Sequence, residues 1–308
     1  VLLDDRQVFV QAFQFVRVAR FEDSGLQGQL AMVESLREIL QVRPQPPHLA
    51  VQAGQEQVGT SIVADDPIVQ SANHTRIVDA AIQEDAQAIA ITSYQGGHLE
   101  FFKYIYDLLH ERGCGHIKVF GGGGGTITPE EIAELMDYGV ERIYHPHDGM
   151  ELGLEAMIRD LVERTEKGRR HALAPGKVEP GDATGIAAMI SAIEEGAFDD
   201  AQLAALRKEW QVKAGRVPVV GITGTGGAGK SSVTDEILNR FLGSFPDMRI
   251  AVLAVDPTRR RTGGALLGDR IRMRSSGTDP GVFIRSMAAR DQLGGVADAA
   301  WASVALLS

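Results

Sequence analysis

Residues Val219-Val220-Gly221-Ile222-Thr223-Gly224-Thr225-Gly226-Gly227-Ala228-Gly229-Lys230-Ser231-Ser232 constrain this chain more than any other stretch, because an apolar run, a glycine turn, a lysine and hydroxyls follow one another without a break. Gly224 to Ser231 fits G-x-x-x-x-G-K-[ST]. In that pattern backbone N–H groups converge on a β-phosphate, Lys230 reaches the β/γ oxygens, and Ser231 can ligate Mg²⁺. The flanks agree. Arg216 to Ile222 reads as a short strand, and Ser231 to Leu242 as a helix with Val233, Ile237, Leu238, Phe241 and Leu242 on one face, so that the helix N-terminus meets the phosphate. The run therefore predicts a nucleotide site.

The 308 residues, 44% of them apolar, suffice for two packed α/β cores, or for one complete core and part of another. The single cysteine, Cys114, excludes an intramolecular disulfide framework and fits a reducing compartment. Val1-Leu2-Leu3-Asp4-Asp5-Arg6 is not a positively charged leader, and no run approaches the roughly 18 apolar residues that span a bilayer, so the expectation is a cytoplasmic protein with no membrane partner. A net charge of −10 argues against a broad nucleic-acid surface. Arg259-Arg260-Arg261, with Arg270, Arg272 and Arg274, nonetheless forms a local basic region, as compatible with phosphate or acidic partners as with a solvated loop.

From about residue 74 the pattern alternates. A helix over Arg76 to Glu84 leads into the strand Gln87 to Ile91; Leu99 to Arg112 reads as a helix and Ile117 to Phe120 as a strand. Gly121 to Gly125 reads as a tight loop, and Thr128 and Pro129 open a helix running to Tyr138. Arg142-Ile143-Tyr144 is a further strand, followed by a helix from Glu151 to about Glu166, and Ile186 to Val212 reads as helical. Such alternation predicts a parallel sheet whose loops bind ligands at the carboxyl edge. Two of those loops stand out, Thr92-Ser93-Tyr94-Gln95-Gly96-Gly97-His98 and the five glycines Gly121 to Gly125. Ordering five glycines carries a large entropic cost, so the turn suggests either a bulky ligand pressed close to the backbone or a flexible loop; the polar loop before it favours the ligand.

Residues 74–165 resemble the cobalamin-binding domain of coenzyme-B12-type acyl-CoA mutases, through Ala90 to His98 and through Val119-Phe120-Gly121-Gly122-Gly123-Gly124-Gly125. Residues 216–308 resemble the G-protein chaperone that services those mutases, through the lysine loop, Val255-Asp256-Pro257 and Thr262 to Met273. The order of the two halves is similar to that of the fused isobutyryl-CoA mutases. The resemblance implies an α/β chain: a flavodoxin-like, Rossmann-type cobalamin-binding domain, then a helical linker over 166–215, then an incomplete P-loop NTPase domain. It implies that Ser93, Gly121, Gly122 and Gly123 line adenosylcobalamin. It places Gly227, Ala228, Gly229, Lys230, Ser231, Ser232 and Arg272 around GTP, and Ser231, Asp256 and Asp269 around Mg²⁺. As partners it implies an acyl-CoA domain outside this chain and a homodimer of the full-length protein. It assigns no catalytic residue.

The family's cobalamin domain opens with D-x-H-x-x-G, whose histidine ligates cobalt, and residues 1–73 contain no such motif; His48 and His74 lack the flanking Asp and Gly. That stretch is left as a divergent or unassigned start of the cobalamin domain. The family's N-K-x-D guanine reader falls beyond Ser308, so guanine preference rests on resemblance. With no acyl-CoA barrel, this chain alone is expected not to isomerise a thioester. The alternative expectation is a non-enzymatic cobalamin carrier or regulator with a nucleotide-sensing P-loop.

Overall fold

A computed structural model describes residues 12–19, 67–92, 97–122, 125–167, 178–179, 181–214, 217–225, 227–256, 273, 279–288 and 298–308. It is a mixed α/β structure with two sheets.

The first sheet is all parallel. Its strands are β2 (Ala88–Thr92), β3 (Lys118–Gly122) and β4 (Arg142–Tyr144), in that spatial order. The helices that precede, connect and follow them are α1 (Pro67–Gln83), α2 (His98–Glu111), α3 (Pro129–Tyr138) and α4 (Pro146–Lys167), the last broken at left-handed Gly153. Val78, Phe102, Ile105, Leu109, Val119 and Leu135 are buried in their shared core, which follows from apolar residues recurring at helical spacing on α1 and α2. Thr128 caps α3 with a reciprocal box: its hydroxyl accepts from the Glu131 amide, and Glu131 accepts from the Thr128 amide at 2.8 Å. On α4, Arg164 donates to Asp160 at 2.9 Å and Tyr144 donates to the same carboxylate at 2.9 Å. Burial, and then that hydrogen bond, pushes the Tyr144 phenol up to about 12.

One expectation needs correction here. Gly121 and Gly122 are not loop but the last two residues of β3, paired with Ile91 and Thr92 on one side and with Ile143 and Tyr144 on the other. A methyl on Gly121 would collide with the Phe102 ring and lie 2.6 Å from Ile143 Cδ1. The absent side chain is thus replaced by the protein's own core.

The second sheet has the order β5-β1-β6-β7, from β1 (Ala12–Ala19), β5 (Val219–Gly224), β6 (Arg249–Asp256) and β7 (Val282–Ala288). β1 comes from the stretch that the sequence leaves as a divergent or unassigned start of the first domain. It runs antiparallel to both neighbours, Phe13 standing opposite Thr223 on one side and Val255 on the other. β5, β6 and β7 consequently run in one direction, and Gly224, Asp256 and Ala288 all end at one edge. Helix α7 (Lys230–Ser244) packs Ile237, Leu238 and Phe241 against Ile250, Val252 and Ile284. Val233, expected on that apolar face, is 43% exposed: it lies at the margin of the buried face, which is centred on Thr234, Ile237, Leu238 and Phe241. A second core joins Leu253, Val255 and Met287 to Ile190 of α5 (Ala183–Glu194) and to α8 (Asp298–Leu306).

The stretch Ile186 to Val212, read as helical, forms two helices. Left-handed Gly196 ends α5, and Asp199 and Gln202 cap α6 (Asp200–Ala214) reciprocally at 2.8 and 3.0 Å. α5 touches both halves: Ala183 packs on the first core and Ile190 lies in the second. Its Glu194 accepts from Arg285 of β7 at 2.8 Å, with the two side chains only 13% and 6% exposed. Among the described residues no helix is long and apolar enough to cross a membrane.

Two stability outcomes follow from this packing, both read by chemical denaturation. Gly121→Ala should cost about 1–3 kcal/mol by overpacking. Gly122→Ala, whose added carbon would meet only the Tyr144 carbonyl at 3.3 Å, should cost clearly less. Glu194→Ala strands a buried guanidinium and should cost roughly 3–5 kcal/mol, whereas the joint change Glu194→Leu with Arg285→Met should cost less than that single one.

Candidate functional site

β5 delivers the chain to the sheet edge at Gly224, and α7 leaves from Lys230. Between them Gly227 and Gly229 take left-handed backbone, at φ 78° and 80°, a region open to glycine and costly for other residues. Gly224 is less demanding: an added methyl would find Ala228 Cβ at 3.6 Å, an ordinary contact. The Ala228 amide donates to the Thr225 carbonyl at 3.2 Å, which tightens the turn, while Gly227, Ala228 and Gly229 stay exposed. No side chain caps α7 at Gly229. The helix dipole favours an anion at such a start.

The Lys230 ammonium folds back over the loop and donates to the Gly224 carbonyl at 2.8 Å and to the Thr225 carbonyl at 3.0 Å. These bonds hold its charge beside the exposed amides. Ser231 is buried in the first turn of α7, and Ser232 is exposed. Thr234, fully buried, donates to the Lys230 carbonyl at 2.9 Å and backs the loop from the core side, a support the sequence reading did not assign. Asp256 ends β6 level with Ala288. Thr223 and Val255 both face Phe13, so Asp256 stands two strand spacings, about 10 Å, from the start of the loop. Asp269 and Arg272 lie outside the described residues, and among the described residues no cluster of three His, Cys, Asp or Glu could hold a metal.

The carboxyl edge of the first sheet is the other expected site. Ser93 and Gly123 lie outside the described residues. Gly121 and Gly122 are brought together there, but Gly121 turns its missing side chain to the core, so only its backbone is available to a ligand. Gly122 and left-handed Gly125 keep the edge bare, with the Tyr144 carbonyl and Pro146 Cγ, the latter at 3.7 Å, as the nearest atoms to an added carbon. α2 begins at Gly97, φ 87°, also without a side-chain cap.

His98, in the first turn of α2, is buried and lies with Nε2 3.1 Å from Glu131 Oε2 in the first turn of α3. The pair ties the starts of the two helices together, and the Thr128 amide, then His98, hold the Glu131 carboxyl below its usual range. At the end of β4, His145 and His147 stack with centroids 5.1 Å apart. The sequence reading took in His98 only as the end of a polar loop and did not single out His145 or His147. For His98 the signal was its place one residue after a glycine pair, and for the others a proline between two histidines.

The family described as methylmalonyl-CoA mutase-associated GTPase MeaB matches residues 186–308. The fused isobutyryl-CoA mutase of Geobacillus kaustophilus is 54% identical over 221 residues, covering 70% of this chain and 20% of its own length. Those of Cupriavidus metallidurans and Nocardia farcinica are 53% and 50% identical over 218 and 223 residues, with the same coverage. The chain thus spans about a fifth of the length of these relatives. Over 70% of its residues the chain is thus similar to a part of the fused isobutyryl-CoA mutases, and its residues 186–308 match the MeaB-type GTPase family.

Proposed function

We propose that the chain is the cofactor-handling portion of an adenosylcobalamin-dependent acyl-CoA mutase that interconverts isobutyryl-CoA and butyryl-CoA. In this reading the first sheet and its helices are a flavodoxin-like cobalamin domain, and the second unit is a GTPase that gates cofactor loading. The observation that carries it is the lysine loop, where exposed amides, an uncapped helix start and the Lys230 ammonium converge at one sheet edge. These groups suit a nucleoside triphosphate. Ser231 offers a hard hydroxyl oxygen of the kind Mg²⁺ takes, and Asp256 ends the next parallel strand, on the far side of β1, at the same edge. Lys230 would exchange its carbonyl partners for phosphate oxygens, and the first-turn amides of α7 would receive the remaining negative charge.

The bare backbone at Gly122 and Gly125, beside the uncapped start of α2, suits a bulky ligand with an anionic tail. Adenosylcobalamin supplies, when bound, a cobalt–carbon bond that breaks homolytically to start a radical rearrangement. The chain's own task would be to hold that cofactor beside the acyl-CoA domain of the whole protein. We further read the full-length protein as a cytoplasmic homodimer.

Two titrations of the purified chain test the reading. Calorimetry with Mg²⁺ and a non-hydrolysable GTP analogue should show binding that Lys230→Ala weakens about 10- to 100-fold, the worth of a charge-assisted phosphate contact. Absence of binding by the unaltered chain would remove the GTPase half. Adenosylcobalamin, followed in the visible spectrum, should bind, and loss of its own base from cobalt would mean that a histidine outside the D-x-H-x-x-G motif takes that place. Binding with the base retained would favour a carrier, and no binding would remove the cobalamin half.

A further inference from the structure

The last residues of α1 lie against β7, about 200 positions away in sequence. β7 is an edge: among the described residues no further strand pairs with it. Its outward backbone groups should then face water or another strand. Instead the Gln83 amide takes the place of that strand. Gln83 Nε2 donates to the Val282 carbonyl at 3.2 Å, and Gln83 Oε1 accepts from the Ile284 amide at 3.1 Å. Glu84 takes the next outward group along the strand, its carboxylate accepting from the Ser286 amide at 3.0 Å and from the Ser286 hydroxyl at 3.0 Å. Positions 282, 284 and 286 follow the two-residue period of a strand, so one helix end reads three successive outward positions.

Arg285 completes the junction from the other face of β7. It is 5% exposed, donates to Glu194 and to the Ser191 hydroxyl of α5 at 2.8 and 3.0 Å, and approaches the Gln83 carbonyl at 3.4 Å. α1, α5 and β7 therefore meet in one polar cluster. β7 is in turn paired with β6 at seven positions, from Ile250–Val282 to Asp256–Ala288. Ser286 stands two residues, about 7 Å, from the strand end at the edge where the lysine loop opens. A displacement of β6 and β7 along their length cannot occur without breaking or dragging the bonds to Gln83 and Glu84.

We propose that the Gln83–Glu84 end of α1 is a latch on β7 through which nucleotide occupancy of the lysine loop is transmitted to the first sheet. The inference rests on the nucleotide reading above and adds the route by which that occupancy reaches the other half. Gln83 and Glu84 are positioning residues: neither touches the nucleotide.

Hydrogen exchange followed by mass spectrometry on the full chain, with and without Mg²⁺ and a non-hydrolysable GTP analogue, tests it. Nucleotide should slow exchange over 230–238 directly, and should change exchange over 76–86 by roughly fivefold or more, the lower end of measured coupling between sites. Glu84→Ala should keep the first response and lose the second. Gln83→Glu, which sets a carboxylate against the Val282 carbonyl while leaving an acceptor for Ile284, provides the same test should Glu84→Ala fail to fold. Slowing over 230–238 with no change over 76–86 in the unaltered chain would overturn the latch and leave the nucleotide reading intact. No slowing over 230–238 would overturn the nucleotide reading, and the latch with it. A response over 76–86 that persists in both variants would overturn this route.

Discussion

A guanidinium buried in a sheet edge is the constraint around which the second half is arranged. Arg285 alternates with Phe283 and Met287 on the face of β7 that packs under α5 and α8, so its charge is delivered into an apolar layer. Such a charge is tolerable only with a carboxylate and further acceptors close by. Glu194 and Ser191 meet that demand from one turn of α5, which fixes the helix against the strand. α5 then cannot be a free spacer. Its Ile190 fills the core on one side of the Arg285 contact and its Ala183 packs on the other half's core. The matched GTPase segment begins at residue 186, within this helix. Packing and family boundary place the same helix in the P-loop unit.

Three different jobs separate the described glycines at the two ligand edges. Gly121 is a packing glycine, since Phe102 and Ile143 occupy the volume a side chain would need. Gly227 and Gly229 are conformational glycines that turn the backbone left-handed where a phosphate would approach. Gly122 and Gly125 are bare-edge glycines with little beside them. The run of five in the sequence suggests one cause for all five, either close approach of a ligand or a flexible loop. The structure divides it, because pleating sends Gly121 and Gly122 to opposite faces of the same strand.

The alternation of strands and helices from residue 76 onward was legible because apolar residues recur at two clear periods, and Thr128-Pro129 announced α3. The lysine loop was legible because its chemistry is local: one strand, one turn and one helix carry it. What escaped was set by distance in sequence. Nothing in Gln83-Glu84 distinguishes the polar end of an ordinary helix from a surrogate strand, and its partners lie at 282, 284 and 286. The antiparallel strand at 12–19 escaped for the same reason, its partners being residues 219–224 and 249–255. Arg285 did leave a trace, an arginine at an inward position of Val282-Phe283-Ile284-Arg285-Ser286-Met287, which signals a buried partner without naming it.

The two halves differ in how their ligand edges are supported. In the second unit the loop leaves β5, which pairs with β1 at six positions, and is backed by Thr234 from the core, so its geometry is set by its own sheet. In the first, β4 pairs over only three residues, and the edge is held by side chains: His98 to Glu131 across the starts of two helices, and Tyr144 and Arg164 onto Asp160. An edge fixed by side-chain bridges can adjust when a helix moves, whereas one fixed by a paired strand moves only with its sheet. The helix joined to the stiffer unit is α1, and its other face packs Val78 into the core of the more adjustable one. Motion generated at the lysine loop would therefore be taken up mainly at the edge where Gly122 and Gly125 lie.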